Sequence, residues 1–162
     1  MRKSRLTQTD THPIFRRMTL HMVKLCVGCD SVAELTDWIS ARRADRKRRG
    51  VVDERIHRTR MMPKRVEEIL DGGSMFWVIK GEIKVREAIL ELRSVTDEAG
   101  ISHCDIVLSG ELVPVEPRRM RPFQGWRYLP VADAPRDLSS FGSSMQELPQ
   151  DLARELAVLG LL

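Results

Sequence analysis

The sequence has little aromatic residue content and little cysteine. Phe, Trp and Tyr make up 5% of 162 residues, with one tyrosine, and there are three cysteines. So few cysteines exclude a disulfide framework and point to a reducing compartment. A chain of this length buries roughly 70% of its unfolded surface and can hold a core without staples. Long apolar runs are also missing. The longest, Met75–Ile79, falls far short of the roughly 20 residues that span a bilayer as a helix. Arg2, Lys3 and Arg5 are followed by no apolar stretch, so the start does not read as a secretory signal. The expectation is a cytoplasmic protein with no membrane partner. No P-loop, dinucleotide fingerprint, nucleophile elbow or paired-histidine zinc helix occurs. No catalytic residue, metal or cofactor is therefore assigned.

What is present in quantity is charge, at 31% of residues with a net +4. It is unevenly spread. Between Arg42 and Arg65 stand eleven Lys or Arg against Asp45, Asp53 and Glu54, and Arg118, Arg119, Arg121 and Arg127 form a second basic group. Such segregation suggests a polyanionic partner; a solvated helix end with surface loops is the plainer alternative.

Residues 1–17 are polar and aperiodic and read as a disordered extension, leaving 18–162 as one domain. Thr19–Val27 alternates as a strand. Ser31 and Glu34 form a capping box, and Val32, Leu35, Trp38 and Ile39 recur on one helical face, predicting a helix over 31–49 stopped by Gly50. Residues 55–62 read as extended. Pro63 suits the first turn of a short helix carrying Val66, Ile69 and Leu70, ended by Gly72-Gly73. Met75–Ile79 reads as a strand buried on both faces, broken at Gly81. The alternation from Ile83 slips phase by Leu92, which means a bulged strand or a helix. Cys104–Leu108 and Leu112–Val115 read as strands joined by a turn at Ser109-Gly110, with Pro114 and Pro117 marking an edge. Arg121–Leu129 reads as the last strand, and Leu148, Leu152, Leu156 and Leu159 as the stripe of a third helix.

Cys26-Val-Gly-Cys29, between a strand and a helix, could be a redox dithiol or, with His103 and Cys104, a zinc site; packing is the ordinary reading of such cysteines. His21 and His57 have no evident partner. Glu82, Glu87, Glu91, Glu111 and Glu116 fall on strand-like segments without a spacing that forces shared acid–base work. The segments Arg58–Arg65 and Arg121–Tyr128 mix guanidinium with apolar or aromatic groups. Arg grips phosphate bidentately, and an exposed Trp can stack a base. The alternative is that Phe123, Trp126 and Tyr128 are core residues with arginines on the wet face.

Met18–Gly28, Thr59–Arg65, Gly73–Gly81 and Pro122–Arg127 together resemble an uncharacterised alphaproteobacterial family, domain of unknown function 1489. The resemblance implies a bacterial cytoplasmic protein and no particular activity. The succession of short helix, Gly-Gly turn, strand 75–80, Gly81 and long strand is also similar to PUA-like domains of the ASCH and EVE groups. That similarity implies a small β pseudo-barrel, which in those groups commonly binds RNA or modified bases. A clear Lys-x-x-Thr of the ASCH amidohydrolase type is missing.

The expected fold is therefore α+β: a mixed, mostly antiparallel sheet curled toward a PUA-like pseudo-barrel and flanked by three helices. The expected function is binding of RNA or another polyanion, with Arg58, Arg60, Lys64, Arg65, Arg121 and Arg127 on phosphates and Trp126 as a stacking group. A small hydrolase acting on a nucleoside or modified base, and an interaction module docking an acidic protein, are the alternatives.

Overall fold

The structure is a computed structural model, and it describes residues 18–138. The expected extension 1–17 and the expected helix at 148–159 lie outside the described residues. Within them the fold is α+β, with a six-stranded sheet and two α-helices.

Strand β1 (Leu20–Leu25) leads through a Gly28 turn to helix α1 (Val32–Arg48). The capping box forms. Ser31 Oγ accepts the Glu34 N–H at 3.1 Å, and the Glu34 carboxylate reaches back to the Asp30 N–H at 2.8 Å. Leu35 and Ile39 bury one stripe of α1, Arg46, Lys47 and Arg48 occupy its last turn, and Gly50 follows at φ 66°. Trp38 departs from the expected stripe: it stays 41% exposed, with the Arg42 guanidinium 4.0 Å from its ring centroid.

Strand β2 (Arg55–Thr59) and helix α2 (Val66–Leu70) come next. Pro63 lies in the approach to α2 rather than in its first turn, because the helix begins only at Val66. The Gly72-Gly73 turn then closes α2, with the Gly73 N–H donating to Ile69 O at 2.8 Å.

Strand β3 (Ser74–Ile79) is buried at every position. A tight turn at Lys80 and Gly81, with φ 51° and 78°, sends the chain into β4 (Glu82–Thr96). The phase slip in this segment is a bulged strand: the register shifts between Ile83 and Val85 and again around Ile89, which leaves Leu90 61% exposed. Strand β5 (Ser102–Arg119) is continuous. The expected turn at Ser109-Gly110 is instead a bulge inside it. Gly110, at φ 80°, gives its N–H to a Glu87 carboxylate oxygen at 2.9 Å rather than to a sheet partner. A glycine at positive φ serves a bulge as well as a turn. Pro114 sits past the stretch that β2 covers, where the arm after β6 lies along β5 instead and the Leu138 N–H donates to Pro114 O at 2.9 Å. Strand β6 (Trp126–Pro130) is shorter than expected, since 121–125 form a loop.

The sheet order is β2-β5-β4-β3-β1-β6, antiparallel throughout except for β1 beside β3. It curls. His57 on β2 and Trp77 on β3 have ring centroids 5.2 Å apart, whereas two intervening strands in a flat sheet would set their backbones roughly 14 Å apart. The curl stops short of the expected pseudo-barrel, because β2 and β6 remain as separate edges. After β6 the chain crosses back to β5 through a bridge between Val115 and Asp137.

Both faces of the sheet carry core. Alternation on β3 sends Met75, Trp77 and Ile79 to the face covered by α1 and α2, and Phe76 and Val78 to the other face, where Val23, Val115, Phe123 and Leu129 meet them.

Candidate nucleic-acid interface

The two basic segments singled out in the sequence meet at one end of the sheet. On β6, register with β1 places Trp126 opposite Lys24 and Tyr128 opposite Met22, so both aromatics face the side covered by the helices. The chain leaving β2 runs across them. The Trp126 indole N–H donates to Met61 O at 2.9 Å, and the Tyr128 hydroxyl oxygen accepts the Lys64 and Arg65 N–H groups at 2.9 and 3.3 Å. The two rings pack edge to face, with centroids 4.9 Å apart. Each aromatic thus has an apolar body against the core and a polar tip holding a loop.

The expected site residues divide by partner and by face. Arg60, Lys64 and Arg121 are exposed and have no carboxylate partner among the described residues. Arg58 lies at the far edge of the sheet, paired bidentately with Asp105 at 2.7 and 3.0 Å. That bond raises the guanidinium pKa and lowers that of Asp105. Arg65 is held by Glu68, with the same effect on both groups, and its guanidinium lies 5.6 Å from the Tyr128 ring centroid. Arg127 takes the opposite face of β6, opposite Val23, and stacks on Phe123 at 4.6 Å. Trp126 is half-buried with its N–H engaged, and Phe123 is core. The core alternative therefore describes Phe123 fully and Trp126 and Tyr128 in part.

Lys24 was not marked by sequence, yet it shares the face of Trp77 and Trp126 beside the crossing loop. Its alternation with Val23 and Leu25 is the signal that could have placed it there.

Behind this end lies a buried polar cluster. Arg55 and Glu87 form a two-bond ion pair at 2.9 and 3.3 Å, with Glu87 fully buried. The Trp77 indole N–H and the Gly110 N–H complete the carboxylate. His57 Nε2 is buried without a hydrogen-bond partner. Burial, and then the charges of Lys24, Arg55 and Arg42, push that imidazole down to about 4.

Burial pushes the Cys26 thiol up to about 12, reinforced by the neighbouring Cys29, the reverse of an activated redox thiol. His103 is bonded to Asp97 at 2.7 Å. Among the described residues no three His, Cys, Asp or Glu side chains gather as a metal site. No helix among them is long and apolar enough to cross a membrane.

A second concavity lies on the opposite face, where β1 and β3 begin. It has a volume of about 680 Å³ and is lined by His21, Ser74, Phe76 and Arg86 and by the arm that follows β6. His21 and Arg86 are 65 residues apart along the chain and neither carries a sequence signal for the other.

No curated protein matches the chain, and no solved structure matches it. A family model does match, over residues 22–162, and it is described as a protein of unknown function (DUF1489). With most of its length covered by that model, the chain belongs to the DUF1489 family.

Proposed function

We propose that the chain binds single-stranded RNA along the rim where the Arg60–Lys64 loop crosses β6. The observation that supports this reading is the meeting of two basic segments more than sixty residues apart, through the Trp126–Met61 and Tyr128–Lys64 bonds. Those bonds fix a loop whose Arg60 and Lys64 side chains stay exposed, next to a half-exposed indole. Arg121 and Arg127 continue the positive charge round the end of β6 onto its other face. Cations spaced around an aromatic are the arrangement by which proteins track a nucleic-acid backbone and stack its bases. Single strands suit it better than duplex, because a splayed base can reach a ring set in a rim. Arg58 and Arg65 are weaker phosphate ligands in this reading, since each already holds a carboxylate. A cytoplasmic location follows from the reading as part of the proposal.

The test contrasts the two classes of arginine and lysine. A fluorescently labelled single-stranded RNA is titrated at about 50 mM salt. Arg60→Gln, Lys64→Gln and Arg121→Gln together should weaken binding at least about tenfold, as expected for three lost phosphate contacts, with little change in melting temperature. Arg58→Gln should change binding by less than about twofold, its loss falling on the Asp105 pair. Equal effects of the two sets would remove the rim from the account.

A further inference from the structure

The cleft on the far face of the sheet is built from side chains that hold one another in place. Arg86, on β4, directs Nε and Nη2 to the two Asp137 oxygens at 2.7 Å each, which ties the arm after β6 to the sheet. Its Nη1 donates to Ser74 Oγ at 3.1 Å. The Ser74 N–H donates to His21 Nδ1 at 3.0 Å. A neutral imidazole that accepts at Nδ1 carries its proton on Nε2, so the tautomer of His21 is set. Phe76 fixes the ring plane, edge to face at 5.0 Å. Burial, and then the charge of Arg86, keeps the imidazole pKa below its ordinary value, opposed only in part by Asp137.

What this leaves facing the cleft is donors. His21 offers Nε2–H. Arg136, exposed on the arm, has no carboxylate partner among the described residues. Among the described residues of the lining, Asp137 is the one carboxylate and is paired with Arg86, and Arg136 adds a further positive charge. The volume of about 680 Å³ lies within the range of small-molecule sites, which pair an apolar wall with a few convergent polar groups.

We propose that this cleft binds a small ligand through an oxyanion group, a carboxylate or a phosphate, received by His21 Nε2–H and the Arg136 guanidinium. Arg86 and Ser74 are positioning residues: Arg86 holds the arm, and Ser74 sets the His21 tautomer. The site is distinct from the Arg60–Lys64 loop and Trp126, which lie on the helix-covered face and toward the other end of β1.

The experiment follows the His21 side-chain nitrogens by NMR on the full chain while inorganic phosphate, and separately acetate, is added. A saturable shift of the His21 Nε2 signal with either anion is expected, and the anion that binds tighter identifies the ligand group. His21→Asn keeps an acceptor for the Ser74 N–H and removes the Nε2–H. It and Arg136→Gln should each weaken binding about tenfold, as for a lost charge-assisted bond. The binding in the His21 variant is read from the Ser74 amide. If His21→Asn fails to fold, Arg136→Gln, which touches no core, decides. No saturable shift with either anion, or unchanged binding in Arg136→Gln, overturns the proposal. Neither result depends on RNA binding, and failure of the rim leaves this readout untouched.

Discussion

Gly73 shows how one residue can fix the meeting of two elements. A Cβ built there would stand 2.3 Å from Ile69 O and 2.4 Å from Leu20 O, both backbone atoms that cannot turn aside. Helix α2 and β1 are thus packed to the limit that glycine allows. Gly73→Ala should destabilise the fold by about 3 kcal/mol or more, at the upper end of overpacking costs. Thermal melting checks this, and a change below about 1 kcal/mol would mean the elements slide apart freely. His57 makes a different point. Its ordinary pKa of 6.5 is pushed to about 4 in the folded chain, so the unfolded chain takes up a proton first as pH falls. The stability this neutral imidazole contributes is therefore whole above about pH 6.5 and is lost as pH descends toward 4, by up to about 3 kcal/mol. His57→Phe keeps a ring against Trp77 and removes the orphan Nε2. Its stability should fall less than that of the parent between pH 6.5 and 4, measured by urea unfolding; parallel curves for the two proteins would contradict the assignment.

Among elements, the ones legible in the sequence are those whose signals are local. The capping box at Ser31 and Glu34, the basic last turn and Gly50 frame α1 from neighbouring residues alone. Met75–Ile79 reads as a doubly buried strand because every position is apolar, and it is one. Where two structures ask for the same residue, the reading fails: Gly110 satisfies a turn and a bulge alike, and only its partner Glu87, 23 residues away, selects the bulge. Pairings across the curl are equally silent, since nothing near Met61 announces Trp126, and nothing near Arg86 announces Asp137. The tie between β2 and β4 is of this hidden kind. Arg55→Met alone strands the buried Glu87 charge and should cost about 3–5 kcal/mol. Arg55→Met with Glu87→Leu should recover much of that, because an apolar pair does not carry the desolvation cost of two ions. A double variant no more stable than the single one would show that the carboxylate acts chiefly through Trp77 and Gly110.

For the molecule as a whole, the decisive fact is that the sheet of the described residues curls without closing. An open curl leaves β2 and β6 as edges, and the Arg60–Arg65 loop spans the helix-covered side between them. Charge clustering in the sequence marks the two basic segments, but not how their side chains divide. Ion pairing takes up Arg58 and Arg65, and strand alternation sends Arg127 to the other face from Trp126. These divisions depend on register and on acids far along the chain, which no composition reveals. The rim reading makes a quantitative demand. Binding of a single strand releases counterions, so the logarithm of affinity should fall with the logarithm of salt at a slope of about −0.7 for each phosphate held. With Arg60, Lys64, Arg121 and Arg127 each on one phosphate, the slope should lie near about −3. The measurement that tests this most directly is a titration of single-stranded RNA across salt concentrations, with the parent protein beside the Arg60→Gln, Lys64→Gln, Arg121→Gln variant. The account predicts a steep parent slope that flattens by about two units in the variant. A flat slope in the parent, or affinity no tighter than about millimolar at low salt where even non-specific binding is usually stronger, would contradict it.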